Sequence, residues 1–305
     1  MNILLSAIVI SYNTKELLKG CIESILKTTR NLTYEIIVVD NNSEDGSPEM
    51  VISDFRDLQL LKNNDNPGFA KANNQAIANA KGKYLLLLNS DTIVKEEMTE
   101  RLIRFMEDHP KAAAGGPKVL NYDGSLQSKG YHFPSILSAV LVLLRVPKFF
   151  SEKQLFKYFP GYYWDQEDVR QVDWVSGSCM LLRKEAVESI GGLSEDFFMY
   201  HEDEEWCFRA RKKGYEVWYV PVAEVIHHNM ASPLLNRLEV GRRSTKIFYK
   251  KTIGIFRGSV ISFIFILSNL VKLFRVILKA RSESEYDDTK ERLKNEMNFL
   301  KFLIT

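Results

Sequence analysis

Cysteine is scarce: the 305 residues hold three, Cys21, Cys179 and Cys207. None stands in a CxxC spacing and no disulfide framework can be drawn, so they read as small buried residues in a reducing compartment. Long apolar runs are missing as well. The uncharged stretch 258–271 falls short of the roughly 18 to 20 apolar residues that span a bilayer. No basic segment precedes the first apolar run, 3–10, which is too short for a secretory signal and reads as a buried strand. A net charge of only +2 is too small to make nucleic acid the main partner. G-x-G-x-x-G after the first strand, G-x-x-x-x-G-K-[ST] and G-x-S-x-G are all absent, although Ser176-Gly177-Ser178 superficially resembles the last. Hydride transfer, P-loop phosphoryl transfer and serine hydrolysis lose their support.

Acid is missing locally too. Between Val240 and Ser282 there is no Asp or Glu, while Arg242, Arg243, Lys246, Lys250, Lys251, Arg257, Lys272, Arg275, Lys279 and Arg281 all fall there. With Ile253, Ile255, Phe256, Val260, Phe263, Ile264, Leu267, Leu270 and Val271 interleaved, the segment predicts an interfacial helix on an anionic membrane surface. The alternative is a helical appendage packed on the rest of the chain or on a second subunit, which would make the protein a homo-oligomer.

What is present is ordinary for a folded chain, with 45% hydrophobic and 26% charged residues. The first ninety residues alternate apolar runs with amphipathic segments: strands at 3–10, 34–39, 58–61 and 83–88, helices at 15–28 and 69–80. Continuous apolar strands separated by helices predict an α/β fold with a sheet covered on both faces. In such sheets ligands bind beyond the carboxyl ends of the strands. Polar residues gather at those ends: Ser11-Tyr12-Asn13, Asp40-Asn41-Asn42-Ser43 and Asn89-Ser90-Asp91.

Further on, Gly115-Gly116-Pro117 leads into a strand and Asn121-Tyr122-Asp123-Gly124 signals a hairpin turn. Residues 136–150 are apolar and aromatic, broken by Arg145, Pro147 and Lys148, and read as either an acceptor loop or a buried helix. Strand character resumes at 172–183, and helices are expected at 184–190 and at 202–213, the latter closed by Gly214. Strands 215–220 and 223–226 end at His227-His228. A basic helical region follows Pro233 and finishes in a charged helix from Ser284 onward.

Three places carry chemistry. Asp91 follows four leucines, which sets a carboxylate at the open end of a buried strand, where a hard divalent cation or a helix start could use it. Glu202-Asp203-Glu204-Glu205 crowds four acids, which raises some of their pKa values and suits a general base; an acidic first helical turn is the plainer reading. His227 and His228 point to opposite sides of a strand, so one of them at most faces Asp91. Asp40 in turn could simply close an Asx turn with Asn42 and Ser43.

The ordered set of Ile8-Val9-Ile10-Ser11-Tyr12-Asn13, Val38-Val39-Asp40-Asn41-Asn42-Ser43, Asn66-Pro67-Gly68-Phe69, Leu88-Asn89-Ser90-Asp91, Gly191-Gly192-Leu193 and Glu202-Asp203 resembles glycosyltransferase family 2, especially its rhamnosyltransferase-like branch. The resemblance implies a GT-A fold, a Rossmann-like mixed sheet flanked by helices, over residues 1–232, with a helical basic region at 233–305. It implies that Ser11, Tyr12 and Asn13 line the nucleotide pocket, that Asp40 accepts the pyrimidine N3 proton, and that Asn42 supports the ribose. Asn74 would shape the donor cleft. Asn89-Ser90-Asp91 would replace the family's Asp-x-Asp metal motif, leaving Asp91 and His227 to hold Mg²⁺ or Mn²⁺, with Asp203 as the base.

The activity so implied is inverting transfer from a dTDP- or UDP-linked sugar, with rhamnose suggested by the branch. The acceptor would be a glycan carried on polyprenyl diphosphate, or an oligosaccharide, at the cytoplasmic face of the inner or plasma membrane. The Gln-x-x-Arg-Trp motif of the family's processive polymerases is absent, which points to addition of one or a few sugars. A UDP-hexose or UDP-N-acetylhexosamine donor, or a non-catalytic glycan-binding or nucleotide-binding subunit, is the alternative.

Overall fold

The computed structural model describes residues 3–127, 132–144, 149, 154, 166–229 and 237–280. Arg145, Pro147 and Lys148, the expected boundary at 232/233, Arg281 and the charged helix expected from Ser284 lie outside the described residues, as do the side chains of Lys272, Arg275 and Lys279. The chain divides into two compact units, 1–132 with 165–235, and 133–164 with 236–305.

The first unit is built on one mixed sheet. In chain order its elements are β1 (Leu5–Ser11), α1 (Lys15–Thr28), β2 (Tyr34–Asp40), α2 (Ser47–Asp54), β3 (Gln59–Lys62) and α3 (Phe69–Asn79). Then come β4 (Tyr84–Asn89), β5 (Thr92–Val94), α4 (Met98–Asp108) and β6 (Ala112–Leu120). After residue 166 follow β7 (Arg170–Gln171), β8 (Cys179–Arg183), α6 (Lys184–Ile190), α7 (Glu202–Lys212) and β9 (Glu216–His227); α5 (Ile136–Leu143) belongs to the second unit. The strand order is β3-β2-β1-β4-β8-β6-β9-β5, with β7 on β9.

The run β3-β2-β1-β4 is parallel, as its apolar continuity predicts. Leu85, Leu86, Leu87 and Leu88 are each fully buried, and withdrawing a leucine side chain from water stabilises by about 1.5–3 kcal/mol. Helix α1 covers the sheet with Leu18, Cys21, Ile22 and Ile25, spaced as one apolar stripe. All three cysteines are buried and unbridged. Beyond β4 the sheet turns antiparallel through β8, and β6 runs parallel to β9.

Three expectations shift. Gly115-Gly116-Pro117 lies inside β6 rather than ahead of a strand, because a Cβ at Gly116 would stand 2.6 Å from Val175 Cβ and only glycine admits that approach. The two strands expected at 215–220 and 223–226 form one, β9 (Glu216–His227), since the irregular register near Pro117 and Lys118 absorbs Pro221 without breaking the ladder. The segment after Asp91, weighed as a helix start, pairs with β9 as strand β5, Thr92 facing His227.

In the second unit α5 packs on α9 (Ile255–Ala280), which also meets α8 (Arg237–Lys251). Ala139, Leu141, Phe248 and Ile261 are buried, and Phe133 and Phe248 lie 6.3 Å apart between ring centroids. No helix among the described residues is long and apolar enough to cross a membrane.

Candidate active site

Because β2, β1 and β4 are parallel and in register, Ser11 facing Asp40 and Ile10 facing Asn89, their carboxyl ends open on one edge. A cavity at that edge is lined by Ile10, Tyr12, Thr14 and Asn41 from the first two strand ends, and by Asn89, Ser90 and Asp91 from the third. Phe69 and Asn66 precede or open α3, Met199 and Tyr200 precede α7, and His227 and Asn229 end β9.

Of the nucleotide-side residues, Tyr12, Asn89 and Ser90 face this cavity. Ser11 is buried behind it, and a hydroxyl chain runs from Ser11 to Thr14 at 3.1 Å and on to Ser90 at 2.8 Å. Asn13 ties its loop to the next one: its N–H donates to Ser43 Oγ (2.9 Å) and its Oδ1 accepts from Glu44 N–H (2.7 Å). Asn13 and Asn42 both take positive φ, 52° and 64°, a conformation that asparagine tolerates best among side-chain-bearing residues; Asn42 is exposed. Asp40 serves both readings at once. Its Oδ2 accepts from Ser43 N–H at 2.9 Å, closing the Asx turn, while its Oδ1 is buried with no partner. An acceptor left bare at a strand end suits a donor arriving on a ligand. Asn74 lies elsewhere: it donates to Leu193 O (2.8 Å) and accepts from Leu193 N–H (2.9 Å), pinning the 191–197 loop to α3.

The β5–β9 pairing brings His227 to the Asn89-Ser90-Asp91 turn. His227 Nε2 stands 3.1 Å from Asp91 Oδ1 and 3.2 Å from Asn89 Nδ2. His228 points away, its ring stacked on Tyr122 at 5.2 Å while its backbone N–H donates to Asp91 O. No group of three or more His, Cys, Asp and Glu side chains among the described residues is arranged to hold a metal ion. Asp91 and His227 make a donor set of one carboxylate and one imidazole, with the Asn89 NH₂ beside them. That set fits a hard cation, which would draw its remaining ligands from substrate and water.

At α7 the four acids separate by environment. Glu205 pairs with Arg209 through both oxygens, and Arg209 also donates to Ile190 O and Gly192 O, so this pair holds the helix to the Gly191-Gly192 turn. Trp206 Nε1 donates to Gly191 O at 2.8 Å and reinforces it. Glu204 meets His201 Nδ1 at 3.1 Å. Burial pulls the His201 imidazole down, but the Glu204 contact outweighs it and the value rises. Glu202 is buried and pushed well above the carboxylate range, by burial first and by Asp203 next.

Asp203 accepts from Gly177 N–H (2.7 Å) and Glu204 N–H (2.8 Å). Burial and the Glu204 charge nevertheless push its carboxyl up to about 6, the range a general base needs near neutral pH. A Cβ at Gly177 would stand 3.3 Å from both Asp203 Oδ2 and the Phe69 ring, so the carboxylate and a wall of the cavity meet around a glycine. Tyr200 and His201, at φ 73° and 69°, turn the chain sharply into this helix. Such conformations in residues with bulky side chains are held by surrounding structure and cluster at functional sites.

Sequence reading did not single out Thr14, Met199, Tyr200 or Gln127. Asn66 and Phe69 stood within a quoted motif without a role.

A parallel-to-mixed sheet whose strand ends present a polar edge and an Asn-x-Asp turn facing a late histidine is the GT-A class. A family model described as "Glycosyl transferase family 2" matches residues 6–191, and the chain belongs to that family. An N-acetylglucosaminyl-diphospho-decaprenol L-rhamnosyltransferase of Mycobacterium tuberculosis is 27% identical over 270 residues, 81% of this chain and 84% of the relative. Rhamnosyltransferase WbbL of Escherichia coli is 28% identical over 233 residues, 72% and 82% of the two chains. Among solved structures, the mannosyltransferase PcManGT from Pyrobaculum calidifontis, in complex with GDP-Man and Mn²⁺, superposes with a TM-score of 0.61 at 14% identity. The match covers 99% of this chain and 86% of that one, and it shows the fold.

Proposed function

We propose that this protein transfers a sugar, rhamnose in the leading reading, from a nucleoside diphosphate donor to a glycan carried on polyprenyl diphosphate, with inversion at the anomeric carbon. The observation that carries the reading is the convergence of the Asn89-Ser90-Asp91 turn, His227 and Phe69, which packs on Gly177 beside Asp203, at one cavity. The rhamnosyl transfer named for the Mycobacterium tuberculosis and Escherichia coli relatives supports the choice of sugar, and the first of them the choice of acceptor.

In this reading Asp40 Oδ1 takes the N3–H of a pyrimidine base, and the Tyr12 side bounds the nucleotide. Asp91 and His227 would hold Mg²⁺ or Mn²⁺, which when bound would supply positive charge against the diphosphate leaving group. Asp203 removes the proton from the acceptor hydroxyl as that oxygen attacks the anomeric carbon. With base and leaving group on opposite sides of the reacting carbon, one displacement would invert it and require no covalent enzyme intermediate.

The catalytic work falls to residues 1–232, and the helical region to lipid. Phe256, Phe263, Leu267, Leu270 and Phe274 are exposed along α9 at spacings of seven, four, three and four. With Arg242, Arg243, Lys246, Lys250, Lys251 and Arg257 nearby in sequence and no acid among them, that stripe suits the anionic cytoplasmic leaflet. Co-sedimentation with anionic but not zwitterionic vesicles is expected; a dimer that ignores both would assign the stripe to a second copy.

The activity test is turnover of dTDP-rhamnose, UDP-hexoses and UDP-N-acetylhexosamines against a polyprenyl-diphosphate N-acetylglucosamine acceptor. The product's anomeric configuration is read by NMR. Retention of configuration would overturn the mechanism, and turnover only with UDP sugars would move the donor to the alternative.

A further inference from the structure

We infer that Gln127 is a positioning residue that fixes the tautomer of His227 and so aims an unprotonated Nε2 at Asp91. The inference rests on the reading of Asp91 and His227 as cation ligands. Gln127 follows the hairpin turn after β6, its own N–H donating to Val119 O at 3.0 Å. Its side-chain amide meets His227 twice: Oε1 lies 2.6 Å from His227 Nδ1, and Nε2 donates to His227 O at 2.9 Å.

The direction of these bonds follows from a chain with one fixed end. Asp123 Oδ1 accepts from Ser125 O–H at 2.6 Å, so Ser125 Oγ is left as an acceptor for Asn121 Nδ2 at 2.9 Å. Asn121 therefore turns its Oδ1 toward Gln127, whose Nε2 donates to it at 3.0 Å. With Nε2 donating to two oxygens, Gln127 has only its Oε1 to offer His227. Nδ1 must then carry the hydrogen, and in the neutral imidazole Nε2 is left with its lone pair toward Asn89 and Asp91. Asn89 Nδ2 can donate to that lone pair. The Asp91 oxygen cannot, so two acceptors face each other at 3.1 Å, an arrangement suited to a cation. A turn outside the cavity lining thereby sets which imidazole nitrogen the site presents.

The test has two independent arms. Nitrogen-15 NMR of histidine-labelled protein without metal, at pH 8, is expected to show His227 as the Nδ1–H tautomer. It is expected to show a mixture in Gln127→Leu. Mn²⁺ titration followed by electron paramagnetic resonance, in the presence of the nucleoside diphosphate, is expected to show affinity weakened about 10- to 100-fold in Gln127→Leu. Gln127→Glu, which keeps an acceptor for Nδ1–H, is expected to stay near the native affinity. A native Nε2–H tautomer, or unchanged Mn²⁺ affinity in Gln127→Leu, overturns the inference. Should native protein show the Nδ1–H tautomer but bind no Mn²⁺, the cation reading falls and the tautomer assignment stands. The native NMR arm decides the matter even if Gln127→Leu fails to fold.

Discussion

Replacing Asp203 by asparagine should separate stability from turnover. The carboxyl rises from 3.8 to about 6 in the folded chain, and by the free energy of proton binding a rise of that size makes the ionised form cost the fold about 3 kcal/mol. The sign follows from proton linkage. Above pH 6 the folded carboxyl is ionised and the cost is present in full; as pH falls it shrinks, and below 3.8 the group is protonated folded or unfolded, so the cost is gone. Asparagine removes the charge but can accept from only one of the Gly177 and Glu204 N–H groups, giving back about 1 kcal/mol. Asp203→Asn is therefore expected to exceed the native chain by about 2 kcal/mol at pH 8 and to show no advantage at pH 4. Urea melts at pH 4, 6 and 8 measure this. Single-turnover assays on the same protein should show donor still bound and transfer lost, while native kcat/KM climbs through about pH 6 as the base ionises. Equal stability of the two proteins at pH 8 would refute the burial argument. Transfer within about tenfold of native would refute the base.

Asp91→Ala is expected to abolish metal-stimulated transfer while leaving the melting temperature within a few degrees; full metal-dependent turnover would relocate the cation. In Asp40→Asn the Ser43 N–H keeps the amide oxygen, so an NH₂ faces the base. Donor affinity measured by calorimetry should fall about 10- to 100-fold with a pyrimidine nucleotide. Arg183 is buried and donates to Ala112 O, Met106 O and His109 O, closing the end of α4 onto the sheet. Arg183→Met should cost about 3 kcal/mol in urea melts without changing KM, because those carbonyls lose their donors.

Local pattern carries the first ninety residues well. Apolar runs bounded by polar turns locate β1 through β4, and the helix expected at 15–28 has those bounds. The second half is less legible because its register depends on distant partners. Residues 172–183 read as one strand, yet β7 ends at Gln171 and β8 begins only at Cys179, and between them the chain brings Gly177 against Asp203. Nothing local announces that detour. Asn74 looks like a cleft residue from its motif, whereas its hydrogen bonds to Leu193 are made 119 positions away. Gln127 carries no motif at all, and only the pairing of β6 with β9, which sets the turn after β6 beside His227, reveals what it touches.

The two carboxylates at the heart of this site hang from different supports. Asp91 is carried by the parallel strands; Asp203 is carried by a helix fastened to the Gly191-Gly192 turn through Arg209 and Trp206. Mutations that remodel one mounting leave the other's hydrogen bonds in place. Such a scaffold would let the two ends of a transfer reaction change independently, each by substitutions on its own mounting.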